Sequence, residues 1–304
     1  MRRWKPKFAL GLWFGLLLLL GALAGAGYVG FRFAQTLTRA PDEWPVNLSL
    51  YGDLLLLVGL LLLVGLLAYR VIGGFTLVYE MDRNGVYVRW LGNRAVIPLS
   101  QIERVDIGAP GARMPWRPVQ GIGSYWGQGR TAGGQQMHLF SSRAPKKALL
   151  IKTSGDAYAI SPREQDAFVQ DLEQRRKLGV VKPLTSRIET GRVFSYAFWN
   201  DPLVRWTLLL AFGLNLLLLG WLAAQYPDLA ATIEMRFNAA GQVAELRPRH
   251  QVLFLPLAAL LLSLLNTGIG MTLYRREPSG ARLLTLASVV IQVLFGVAIA
   301  GVVL

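Results

Sequence analysis

The sequence predicts a membrane α-helical protein, about five transmembrane helices plus an inserted β-rich barrel capped by a C-terminal helix. Three observations point there. The chain of 304 residues is 53% hydrophobic and only 16% charged, against about 25% charged in soluble domains. Apolar runs at residues 8–33, 54–69, 206–224, 252–273 and 283–304 have the composition of segments that cross ~30 Å of hydrocarbon. Between the second and third lies the one long block, residues 70–199, too polar for a bilayer. The implied organisation is two spans with an outer loop (1–74), a soluble domain (75–179), a linker (180–205) and three spans (206–304) with an outer loop at 225–251.

The net charge of +14 would suggest nucleic acid in a soluble protein. In a membrane protein, Lys and Arg collect on the cytoplasmic side, so the lipid bilayer is the expected partner and nucleic acid is not. The absence of cysteine excludes disulfides and thiolate chemistry.

Arg2, Arg3, Lys5 and Lys7 precede the first apolar run. A cleavable signal peptide is the rival reading, with small-residue sites at Ala22-Leu23-Ala24 and Ala24-Gly25-Ala26. The apolar run continues past both sites, which favours an uncleaved anchor. Asn47-Leu48-Ser49 matches a glycosylation triplet, a pattern short enough to arise by chance. Short-loop charge places the N-terminus, the soluble block and the Arg275–Arg282 turn together on the cytoplasmic side of a bacterial inner membrane. The outer loop opposes this with Arg236, Arg247 and Arg249, but alternation of spans still puts it outside.

Within the soluble block, residues 76–82 and 86–90 read as strands around an Asn84-Gly85 hairpin turn requiring positive φ. Strand patterns continue at 95–97 and 105–107 and, after a Gly- and Pro-rich loop at 108–136, at 137–140, 148–152 and 157–160. Ser161-Pro162-Arg163-Glu164 has the form of a capping box opening a helix to about Lys177, with Phe168 and Leu172 on its buried side and Gly179 as its stop. This order resembles the pleckstrin-homology (PH) fold, in particular its bacterial membrane-tethered versions. The carrying residues are Tyr79-Glu80…Asn84-Gly85-Val86, Ile97-Pro98-Leu99…Ile102 and Tyr158-Ala159-Ile160-Ser161-Pro162 before Phe168. The resemblance implies a bent sheet whose open end the helix plugs, and a binding or scaffolding role. Eukaryotic relatives often bind phosphoinositides through a basic first hairpin. Here Met81-Asp82-Arg83-Asn84 carries a single, offset Arg, so that role is not carried over.

Two surfaces of the domain are candidates. Arg143, Lys146 and Lys147 form a basic cluster suited to anionic lipid. The 108–136 loop holds Trp116 and Trp126 with Arg113, Arg117 and Arg130, a mixture that suits a bilayer interface, neighbouring helices or a protein partner. In the second outer loop, Pro227, Arg236, Phe237, Asn238 and Gly241 fall in a stretch that resembles a short domain of bacterial membrane proteins, among them immunity proteins against Sdp-type toxins. Members usually carry His at the position of Arg236, so no titratable or metal-binding role is carried over.

His138 and His250 are the only histidines and fall on opposite expected sides. No Walker, nucleophile-elbow or zincin motif is present. The expectation is a non-enzymatic protein with no cofactor or metal. The mid-span polar residues Asn215, Ser263, Asn266 and Gln292 are neutral, which suits interhelical hydrogen bonds better than ion-coupled transport. The expected function is a membrane-held binding or scaffolding module, with envelope signalling or stress response as its setting. A transporter subunit and a toxin-immunity protein are the alternatives.

Overall fold

The computed structural model describes residues 1–7, 9–108, 110–113, 122, 124–189, 197–237 and 243–303, with backbone only at 234–237 and 243–245. The chain divides into two compact units, Met1–Gly25 with Leu60–Arg192 and Ala26–Gly59 with Val193–Leu304. Among the described residues, five helices are long and apolar enough to cross a membrane.

The first unit begins with a strand the sequence does not announce, β1 (Arg2–Trp4). Helices α1 (Leu10–Leu37) and α2 (Leu48–Thr76) follow, each shared with the second unit. Only 22% and 17% of their most apolar stretches are buried within the protein. Most of that surface therefore has no protein partner, as lipid-facing helices require. Helix α2 is much longer than the 54–69 run. Asn47 Oδ1 accepts the Leu50 N–H at 3.0 Å, so the first residue of the Asn-Leu-Ser triplet serves as a helix cap. At the other end Thr76, expected to open a strand, closes the helix instead, its Oγ1 donating to the Ile72 carbonyl at 2.7 Å.

The strands are β2 (Val78–Met81), β3 (Gly85–Trp90), β4 (Asn93–Pro98), β5 (Ile102–Ile107), β6 (Tyr125–Arg130), β7 (Gln136–Ser141), β8 (Leu149–Thr153) and β9 (Ala157–Ile160). Helix α3 (Gln165–Lys177) and strand β10 (Arg187–Glu189) complete the unit. The expected barrel does not form. The strands make two five-stranded sheets, β1-β2-β3-β4-β10 and β5-β8-β9-β7-β6. Two causes are visible. A 3-10 turn at Leu99–Gln101, entered from Pro98, carries the chain from one sheet to the other. Strands β1 and β10 then occupy both edges of the first sheet. The sheets pack face to face instead, Tyr79, Val86, Val88 and Ile97 against Phe140, Ile151 and Ile160, with Phe168 and Leu172 of α3 buried among them.

Three local expectations change. The β2–β3 hairpin forms, but no positive φ occurs at Asn84 or Gly85. Asp82 Oδ1 makes the turn by accepting from Asn84 N and Gly85 N at 2.8 and 3.0 Å. Gly85 is required for space, since a Cβ there would stand 2.9 Å from the Ile97 carbonyl oxygen. The positive-φ pair is Leu91-Gly92, between β3 and β4. Second, Ser161 caps nothing: α3 starts at Gln165 with no side-chain cap. Third, the 108–136 segment is not all loop, because Tyr125–Arg130 pairs with β7. Gly179, at φ +75°, lies just past the helix as expected.

The second unit holds α4 (Ala197–Asn200), α5 (Pro202–Gln225), β11 (Thr232–Phe237), β12 (Val243–Pro248), α6 (Phe254–Leu273) and α7 (Pro278–Val303). Strands β11 and β12 form a hairpin in the outer loop. Ile233 packs with Leu222, Tyr226, Val252 and Ile299, closing that end of the helices. Mid-span, Asn215 Nδ2 donates to the Pro256 carbonyl at 2.8 Å and to Gln292 Oε1 at 3.0 Å. Gln292 Nε2 donates to Ser263 Oγ at 2.9 Å. These amides bind helix to helix, and such bonds are worth ~0.6 kcal/mol each on average.

Asp201 caps α5, with Oδ1 accepting from Leu203 N at 2.9 Å and Oδ2 from the Tyr274 hydroxyl and Arg282 Nε, both at 2.8 Å. Burial alone would raise this carboxyl, but the hydrogen bonds from Tyr274, Arg282 and the backbone outweigh it and hold the pKa at about 2. A depressed carboxyl stabilises the fold fully above its unfolded value of ~4, and the contribution is lost as pH falls through the folded value. Acid unfolding of the purified protein in detergent should therefore show a loss of stability from about pH 4 to about 2. In Asp201→Asn that slope should flatten; an unchanged slope would assign the acid response to other groups.

Candidate functional site

The inserted domain is fastened by segments outside the core of its fold. Strand β1 pairs antiparallel with β2, and β10 with β4. Beyond β1, Lys7 N donates to the Ser161 carbonyl at 2.7 Å and Arg163 N to the Lys5 carbonyl at 2.9 Å. Trp4 is 5% exposed and meets Phe168 edge-on at 5.5 Å. Ser161 Oγ accepts from Ser142 N at 2.9 Å and lies 3.2 Å from the Tyr79 hydroxyl. Tyr79 donates in turn to the Phe140 carbonyl at 2.8 Å. Burial pushes the Tyr79 phenol far above its usual range against the opposing bonds to Ser161, so it stays a neutral donor.

The second sheet is treated differently at its two edges. At β6, Arg113 and Arg130 exchange reciprocal backbone bonds at 2.8 Å, which cover part of that edge. At the other edge β5 pairs with β8 alone among the described residues. Its register shifts between Ile102 and Arg104, Glu103 and Arg104 are exposed, and Ile107 is 70% exposed. Beside it runs a groove of about 460 Å³ whose walls include Arg104, Asp106, Gly108, Leu150 and Lys152. Lys152 Nζ lies 3.1 Å from Asp106 Oδ2, and Arg104 also pairs with that carboxylate. Burial alone would raise the Asp106 carboxyl; the hydrogen bonds from Lys152 and Arg104 outweigh it and hold it below the usual range. Such an edge offers backbone donors and acceptors, two cations and one bare apolar side chain. That is the chemistry needed to accept an extended chain.

The residues singled out from the sequence are scattered. Trp126 is half-buried against Trp90 and Phe140, with centroids 5.2 and 5.9 Å away. Its ring comes within 3.7 Å of a Cβ built at Gly73 of α2. Nearby, Ile122 packs with Leu19, Ala22, Leu67 and Val71 of α1 and α2, and Arg70 Nη1 donates to the Ser124 carbonyl at 3.2 Å. The described part of this segment therefore lies against the unit's own helices. Arg113 and Arg130 are brought together as exposed neighbours. Trp116 and Arg117 lie outside the described residues, as do Asn238 and Gly241. Arg236 and Phe237 end β11, and Pro227 lies exposed in a 3-10 turn. Lys146 and Lys147 are exposed between β7 and β8, with Arg143 half-buried.

Sequence reasoning passed over Trp4, read Glu80 only as part of the first hairpin and took Ser161 for a helix cap. The first sits in a three-residue strand with no readable period, and the other two act through tertiary partners. His138 and Asp156 do meet, Nε2 to Oδ2 at 3.1 Å, with the imidazole stacked on Tyr158 at 5.3 Å. Tyr158 shares a hydrogen bond of 2.7 Å with Ser186, so this cluster ties the segment leading into β10 to the second sheet.

The family described as Bacterial PH domain matches residues 77–176. That span covers β2 to α3 and leaves out both β1 and β10. No curated protein and no solved structure matches the chain. The chain therefore carries a PH-like domain together with helices long and apolar enough to span a membrane.

Proposed function

We propose that this is a non-enzymatic bacterial membrane protein whose PH-like domain, held at the cytoplasmic face of the inner membrane, docks a protein partner. The observation that carries this reading is the contrast between the edges of the sheets. Strands from the chain's own flanks take both edges of the first sheet, while among the described residues β5 is left open beside a charged groove. A domain fastened in this way acts as a fixed platform. Pairing of β1 with β2 requires residues 2–4 and 78–81 to share one side of the membrane, which supports an uncleaved first span. The basic N-terminus supports the cytoplasmic side. Envelope signalling or stress response is the setting this architecture suits.

Photo-crosslinkers placed at Glu103 and at Glu173 of α3 in living cells provide the test. A discrete adduct from Glu103 that is absent from Glu173 is expected, and Arg104→Glu should weaken it. Identical patterns from both positions would sink the reading. The internally satisfied amides of Asn215 and Gln292 weigh against the transporter alternative. The immunity-protein alternative rests on the outer-loop resemblance.

A further inference from the structure

A second surface lies on the outward face of the first sheet, remote in the fold from β5. Arg3 of β1, Arg89 of β3 and Arg94 of β4 line one groove of about 550 Å³ with Glu80 and Thr76. Glu80 is buried, its side chain 3% exposed, and draws in two guanidinium groups. Arg3 Nε lies 2.9 Å from Oε1 and Arg89 Nη1 lies 3.5 Å from Oε2. One carboxylate cannot neutralise two cations. Each guanidinium has five N–H donors, and these two side chains remain 75% and 57% exposed. Arg94 adds a third, its guanidinium 4.2 Å over the Tyr87 ring and its buried Nε without a hydrogen-bond partner. The acid across the groove, Glu189, pairs with Arg187 at 2.6 Å.

The groove is fixed to the end of a span. Leu91 N donates to Thr76 Oγ1 at 3.1 Å, and Leu91 Cδ1 would lie 3.3 Å from a Cβ on Gly73. Thr76 is the last residue of the span formed by α2. In the membrane reading proposed above, that end of the helix emerges on the headgroup side, so the excess of positive charge would face headgroups. The geometry points to a binding site for a phosphate-bearing anion, supplied by a lipid headgroup or as free phosphate, with Arg3, Arg89 and Arg94 as donors and Glu80 as the group that holds the first two in place. Arg3 and Glu189 lie outside the segment that the Bacterial PH domain family matches, and the site is at the Leu91-Gly92 turn rather than the Asp82–Gly85 hairpin. It does not depend on the β5 partner.

The full chain, reconstituted in phosphatidylcholine nanodiscs containing a minor share of phosphatidylglycerol, is released and its retained lipid read by native mass spectrometry. Wild type should keep phosphatidylglycerol in preference to phosphatidylcholine. Loss of two charge-assisted donors in R89Q/R94Q should lower that retention at least about tenfold. R3Q, a milder change that leaves Arg89 on Glu80, should fall between. R176Q/K177Q, on the exposed last turn of α3, should match wild type. Millimolar inorganic phosphate separates the sources: displacement of the lipid assigns free phosphate as a ligand, and no displacement assigns the headgroup. Equal retention by wild type and both arginine variants overturns the site, and so does equal loss in R176Q/K177Q, which would reduce the effect to general attraction. Near-ultraviolet circular dichroism confirms that the variants stay folded.

Discussion

Trp4→Ala is expected to loosen the whole PH-like domain, although Trp4 lies outside the segment that the family match covers. The side chain is 5% exposed, packs edge-on against Phe168 and belongs to the same core as Tyr79, Ile97 and Ile160. Truncating a buried Trp typically costs about 3–5 kcal/mol through lost transfer energy and the cavity left behind. The indole Nε1 is buried without a partner, which places the expectation at the lower end of that range. Single domains have only about 5–15 kcal/mol in total, so the loss should appear as early proteolysis of the domain and a lowered unfolding midpoint in detergent. Trp4→Phe should recover most of it. A variant as protease-resistant as wild type would show that β1 is an ornament on a domain stable without it.

Gly220→Val should have the largest effect in the other unit. A Cβ on Gly220 would stand 2.7 Å from the Tyr51 ring, whose hydroxyl donates to the Leu216 carbonyl at 2.8 Å. The ring cannot retreat without giving up that bond, and in hydrocarbon an unmet polar group is costly. Overpacking of this kind costs about 1–3 kcal/mol, and the broken bond adds to it. Thermal unfolding in detergent should therefore begin earlier. Adding Tyr51→Ala to Gly220→Val should relieve part of the damage, as expected for residues in direct contact. Strictly additive losses would mean that the two helices are not held at that point.

Much of this architecture is written into local pattern. The spans are readable because burial in lipid demands long apolar stretches, and α3 because Phe168 and Leu172 recur at helical spacing before Gly179. The bent sheets are less so. Strand β6 is Tyr125-Trp126-Gly127-Gln128-Gly129-Arg130, and its glycines erase the alternation that would mark it. Ser161 shows how a local motif can be overruled. Its Ser-x-x-Glu pattern fits a helix cap, yet Tyr79 and Ser142 claim the hydroxyl from 82 and 19 residues away. The candidate surfaces were legible only in part. Arg113 and Arg130 are each visible as charges, but their pairing is not. The arginines of the second groove come from β1, β3 and β4, and Arg3 lies 77 residues from the Glu80 it shares with Arg89, so no local window contains them all.

The pairing of β1 with β2 also constrains the order of biosynthesis. Arg3 is polymerised long before Glu80, and α1 and α2 lie between them in the chain. Until the two meet, Trp4 lacks the partners that bury it, and β2 lacks its neighbour on that edge. In the membrane reading proposed above, the sheet is therefore completed only once both helices are in place.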